Sequence, residues 1–132
     1  MSRIEYSTKT SFVQGARSSQ ADWFRAIPVD AYGGALFLMG DGHGAWNQKK
    51  TDEVTAFFEE QIDMLPIHFS VDPPSTSEAL EWIYRGAARR FVDENIGFAG
   101  GSSIICCFVT TEQYAVLVRG DSEVILEHED RA

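Results

Sequence analysis

The chain is short of cysteine, of basic residues and of long apolar runs, and each shortage excludes something. Its 132 residues include two cysteines. These are the neighbours Cys106 and Cys107, which cannot build a disulfide framework. Neighbours on a strand face opposite ways, so small buried or half-buried thiols in a reducing compartment are expected. Lys and Arg number 11 against 20 Asp and Glu, a formal charge of −9. Binding to nucleic acid or to an anionic membrane calls for the opposite balance, so neither is expected as a partner. The longest strongly apolar run, Ile104 to Val109, is far too short to cross a bilayer. The opening residues, Met1 to Tyr6, lack the apolar stretch of a secretory leader, and Ser2 stands where myristoylation needs glycine. The reading is a cytoplasmic protein. What the chain does have is bulk: three Trp, four Tyr and nine Phe supply a real core and argue against disorder. One domain over 1–132 is expected, burying roughly two-thirds of the surface its unfolded chain exposes.

Hydropathy patterning orders that domain as three strands, two helices and three strands (βββααβββ). Residues 4–14 alternate loosely up to Gly15, and a second strand runs from Trp23 to Val29, with Pro28 and Asp30 near its end. After the turn at Gly33-Gly34, the continuous apolar run Ala35 to Met39 reads as a strand buried on both faces. It gives way to Gly40-Asp41-Gly42-His43-Gly44, where unusual backbone torsions are expected. The period then becomes helical, with Val54, Phe57, Phe58, Ile62 and Leu65 on one stripe and an expected end near Pro66. A capping box, Ser75-Thr76-Ser77-Glu78, opens a second helix striped by Leu80, Tyr84, Ala87 or Ala88, and Phe91, closed by Asn95 and Gly97. Ile104–Thr110 and Tyr114–Val118 read as a hairpin. Gly120-Asp121 turns the chain into a last strand, Glu123 to Leu126, and 127–132 reads as a frayed tail. The fold class is α+β: antiparallel sheet with two helices packed on a face.

The chemistry concentrates at turns. In Asp41-Gly42-His43-Gly44, a carboxylate is held at a strand end and glycines let backbone carbonyls come close, which suits the oxygen-seeking cations Mg²⁺ or Mn²⁺. A glycine-rich turn whose Asp bonds its own backbone is the plainer alternative. Gly40-x-Gly42-x-x-Ala45 also fits the dinucleotide fingerprint, but acidic residues facing a pyrophosphate are electrostatically wrong. Arg17 could grip a phosphate with its planar fork, and Asp22 could hold a metal or its water. Gly101-Ser102-Ser103 and Arg119-Gly120-Asp121-Ser122 read, separately, as turns; the adhesion tripeptide in the latter is a chance match.

Taken in order, these motifs resemble the protein phosphatase 2C family of metal-dependent Ser/Thr phosphatases. The family's succession is glycine-x-arginine, an acid pair, a strand ending in D-G-H-G, two helices, a G-S-T strand and a G-D-S-R turn. Here it is met by Gly15-Ala16-Arg17, Asp22, Asp41 to Gly44, Gly101-Ser102-Ser103 and Gly120-Asp121-Ser122, over roughly 10–126. The resemblance implies that Asp41 bridges two metal ions and that Gly42 offers its carbonyl to one. It further implies that Arg17 binds the substrate phosphate, that His43 gives a proton to the leaving oxygen, and that Asp121 serves a further metal. The two cations, Mn²⁺ or Mg²⁺, would activate a bridging water for in-line attack on phosphorus.

Several positions depart from that pattern. The first acid of the pair is Ala21, Ser103 replaces a threonine, and Glu123 replaces the arginine of the last motif. A full catalytic domain of this kind is about twice as long on domain-size grounds, and its second half brings further aspartates. No such segment follows Asp121; Glu127, Glu129 and Asp130 are poor substitutes. The expected function is therefore a reduced, phosphatase-like binding or regulatory module with weak or no catalysis. The alternative is a minimal active phosphatase completed by a partner or second copy. A phosphoprotein, a protein partner or self-association is expected at the face left by the missing half.

Overall fold

The computed structural model describes residues 22–69 and 74–120. Among them the order is β1 (Asp22–Val29), a single 3₁₀ turn (Asp30–Tyr32), β2 (Gly34–Gly44), α1 (Gln48–His68), α2 (Thr76–Glu94), β3 (Gly100–Ser102), β4 (Ile104–Val109) and β5 (Tyr114–Arg119). The chain is α+β, with antiparallel strands and two helices. The strands expected at 4–14 and 123–126, and the tail 127–132, lie outside the described residues. No helix among the described residues is long and apolar enough to cross a membrane.

β2 is the spine of the sheet. β1 pairs along one side of it, from Asp22 opposite Asp41 to Val29 opposite Gly34. On its other side lie β4, with Met39 opposite Ile105, and then β3, with Gly42 opposite Ser102. Both pairings keep one register, so β3 and β4 act as a single strand interrupted at Ser103. β5 completes the order as a hairpin on β4.

Alternation divides each strand between two faces. Trp23, Ile27, Leu36, Leu38, Cys106 and Phe108 belong to the buried core with Val54, Phe57, Phe58 and Leu65 of α1 and Leu80, Ile83 and Ala87 of α2. Burying a side chain of this size is worth about 1.5–3 kcal/mol, so the apolar stripes hold the helices to this inner face. Phe24, Phe37, Met39, Asp41 and His43 take the alternate positions and belong to the outer face.

Both helices begin where a side chain caps them. Asn47 Oδ1 accepts from Lys50 N at 3.1 Å, and Ser75 Oγ from Glu78 N at 3.1 Å. The second cap is the expected one; the first starts α1 a full turn and more ahead of its apolar stripe. At the other end α1 stops near Pro66 as expected, two residues on at His68. Proline removes only its own N–H, and Phe69 N still reaches Leu65 O at 3.0 Å. The His68 ring stacks on Trp82 of α2, centroids 4.5 Å apart, which fastens that last turn. Asn95 caps α2 as expected. Its amide reaches Phe91 O and Glu53, which joins the end of α2 to the start of α1.

Candidate functional site

The glycine-rich stretch after Met39 is not a loop. It continues β2 to Gly44, and of its three glycines only Gly44 has positive φ, at 64°. The unusual torsion expected in this stretch falls at Gly44 alone. Gly40 and Gly42 are needed for a different reason: they are inner-face positions on which indoles lie. A Cβ at Gly40 would stand 2.5 Å from Trp23 Nε1, and one at Gly42 would stand 2.5 Å from Trp46 Cδ1. The two indoles stack, centroids 6.0 Å apart and 16° from parallel. Trp23 Nε1 donates to Ser102 Oγ at 2.8 Å, and Trp46 Nε1 to Thr51 Oγ1 at 3.0 Å. The inner side of the strand end is thus an aromatic floor fixed to β3 and α1.

The outer side carries the candidate chemistry. Asp22 and Asp41 are cross-strand partners in the β1–β2 ladder, so their side chains leave the same face, at the short spacing of directly opposed residues. Both are half-buried. His43 follows on the same face. It is exposed and its ring leans over Gly101, where a Cβ would meet Nε2 at 3.0 Å. Gly42, between them, is buried in β2 and paired with Ser102.

Ser103 ties the Gly101-Ser102-Ser103 segment to this point. Its N–H donates to Asp41 O at 3.2 Å, and its Oγ accepts from Asp41 N at 3.2 Å. The segment is therefore strand rather than the isolated turn that the residues alone suggest. Gly120, with φ of 102°, lies against Ser103: a Cβ there would come within 2.8 Å of Ser103 Cβ. The motifs around Asp22, Asp41 to Gly44, Gly101 to Ser103 and Gly120 thus meet at one end of the sheet. Arg17 and Asp121 lie outside the described residues, as do Ala21 and Glu123.

Among the described residues no three His, Cys, Asp or Glu side chains group as a metal site. The donor set there is two facing carboxylates, which fit a hard divalent cation that keeps most of its water. The cysteines serve no such site. Both are free; Cys106 is buried on the inner face and Cys107 is half-buried on the outer. Burial pushes the Cys106 thiol up to about 12, against a smaller opposing pull from Arg119, and burial raises Cys107 as well. Both thiols are therefore held neutral, and the buried Cys106 is the less reactive of the two.

Trp23 and Trp46 are the residues that sequence reasoning missed. Their signal was present: glycine at alternate positions 40 and 42 leaves one strand face blank, and a blank face calls for large side chains above it. Comparison with known protein families, with characterised proteins and with solved structures finds no match.

Proposed function

We propose that the chain is a reduced, protein phosphatase 2C-like binding module with a degenerate metal site. It takes one Mn²⁺ or Mg²⁺ weakly, and works by holding a phosphorylated partner rather than by turning it over. The observation that carries this reading is the register pair Asp22–Asp41. Two carboxylates directly opposed on one sheet face make a place for positive charge. The meeting of four separated motifs at that end of the sheet supports the family reading, as does the α+β order. Ala21, standing where the family pattern has the first acid of its pair, supports the loss of turnover.

In this reading Asp41 and Asp22 hold the cation, and Gly42 keeps the strand slim beside it. Arg17 supplies a fork for phosphate, Asp121 adds charge, and His43 stands ready as a proton donor. A bound cation supplies the positive charge that draws a phosphate group and screens its oxygens. The outer face continues away from the site as an apolar surface with Phe24, Phe37 and Met39, the last 42% exposed. A protein partner or a second copy docks there.

Titration of the protein with Mn²⁺ and with Mg²⁺ tests the reading, followed through backbone amide signals alongside hydrolysis of an aryl phosphate. The expected result is saturable perturbation around Asp22 and Gly40 to Gly44 with Kd on the order of 1 mM. It is lost in Asp41→Asn, with hydrolysis at background. Metal-dependent turnover that Asp41→Asn abolishes would favour the minimal-enzyme alternative. An absence of any perturbation at ten times that metal concentration would remove both.

A further inference from the structure

The indoles that back the glycines also wall a cavity of about 200 Å³ between the helices and the sheet. Tyr84, Ala88 and Phe91 of α2 and Ile104 of β4 line it from the other sides. Its size sets one limit: roughly 150 Å³ of apolar cavity is enough for benzene, whereas drug-sized ligands need about 300 Å³ or more. One ring or two fused rings fit.

The walls set the chemistry. Trp46 is stacked on Trp23 and lies 5.6 Å from Phe91, centroid to centroid, the spacing at which aromatic rings attract beyond their buried area. The indole N–H groups and the serine hydroxyl of these walls are already committed. Trp23 Nε1 donates to Ser102 Oγ, which itself donates to Ser103 O at 2.7 Å, and Trp46 Nε1 is taken by Thr51. A charged guest would lose its hydration without finding partners, while an uncharged one would lose little. A cationic guest is further disfavoured because the Arg119 guanidinium already sits over the Tyr84 ring, 5.3 Å from its centroid.

We infer that this cavity is a binding site for a small uncharged aromatic molecule of one or two fused rings, felt on the strand that carries Asp41 and His43. The route is direct contact: the guest touches Trp23 and Trp46, and these lie on Gly40 and Gly42. Neither Asp22 nor Asp41 belongs to the inner face, so the inference stands apart from the metal reading and is tested without metal.

Titration of the ¹⁵N-labelled protein with indole, and in parallel with benzoate as a charged ring of similar size, provides the test. With indole, the side-chain N–H signals of Trp23 and Trp46 and the amides of Gly40 and Gly42 shift saturably, with Kd on the order of 0.1–1 mM. The Trp82 signal, from the stack with His68 and Phe69 at the far end of the helices, stays in place. Benzoate moves none of them. Ala88→Leu, which extends a side chain into the cavity without removing a wall, abolishes the indole shifts at least tenfold in affinity while the circular dichroism stays native. Three results overturn the inference: indole leaves Trp23 and Trp46 unmoved, it moves Trp82 equally, or benzoate acts as indole does. Should Ala88→Leu not fold, the wild-type comparison of three indoles and two probes decides alone.

Discussion

The two sides of β2 at its glycine-rich end are built from alternate residues of one short segment, yet they answer to different demands. On the inner side Gly40 and Gly42 contribute no side chain, and two stacked indoles use the space. On the outer side Asp41 and His43 contribute polar side chains beside Asp22. The inner side is a packing problem, where a misplaced methyl group is felt at once. The outer side is an electrostatic one, where two half-buried carboxylates stand opposite each other. A strand with glycine at every second position can therefore carry a polar site on one face because the other is sealed by aromatic rings.

Three experiments would break or sharpen this contrast. The largest effect is expected from Trp23→Ala, which empties the inner floor. Chemical denaturation should show a loss of about 3–5 kcal/mol, against a change within about 0.5 kcal/mol for the exposed His43→Ala. Equal losses would mean that the two sides are not distinct. Next comes a pair of glycine substitutions. Gly42→Ala drives a methyl into the Trp46 ring and should cost about 1–3 kcal/mol. Gly101→Ala meets only the end of the exposed His43 side chain, at 3.0 Å, and the unfolding midpoint should hardly move. If both cost the same, the close approach at Gly42 is not what that glycine is for.

The smallest effect concerns the cysteines, which carry the same contrast into β4. In alkylation with iodoacetamide at pH 8, Cys107 on the outer face should react first, and Cys106 only as the protein unfolds. Because burial lifts the Cys106 pKa above its ordinary value of 9.0 to about 12, the thiol's contribution to stability is intact below pH 9. It is lost as the pH rises from there towards 12. Stability measured across that window should fall, and fall less in Cys106→Ala. A pH-independent difference between the two proteins would contradict the buried, neutral thiol.

Much of the architecture was legible in the residues. The helical stripes containing Val54, Phe57, Phe58 and Leu65, and Leu80 and Ala87, are the faces that meet the sheet. The Ser75 cap forms as its spacing requires, and the hairpin of β4 and β5 forms around the expected turn. These features rest on local periodicity and capping, which neighbours in the chain settle among themselves. Others were settled only by partners distant in the chain. Helix α1 ends near Pro66 as expected, and its last two residues place His68 against Trp82 of the other helix. Gly40 to Gly44 could be a strand end or a turn, and it is strand because β1 pairs with it as far as Asp41 and β3 from Gly42 on. Gly101-Ser102-Ser103 reads as a turn until Ser103 is seen bonded to Asp41.

By itself, then, the sequence determined the class of fold, the two helical faces and the position of the acidic strand end that carries Asp41 and His43. It also contained the motif order on which the phosphatase-like proposal rests. Only the tertiary structure decided that Asp22 stands opposite Asp41 and that Trp23 and Trp46 seal the reverse of the same strand. The reason is range. Capping and periodicity act over three or four residues, whereas Trp23 and Ser102 are 79 positions apart, and no local pattern can specify such a meeting until the sheet is closed.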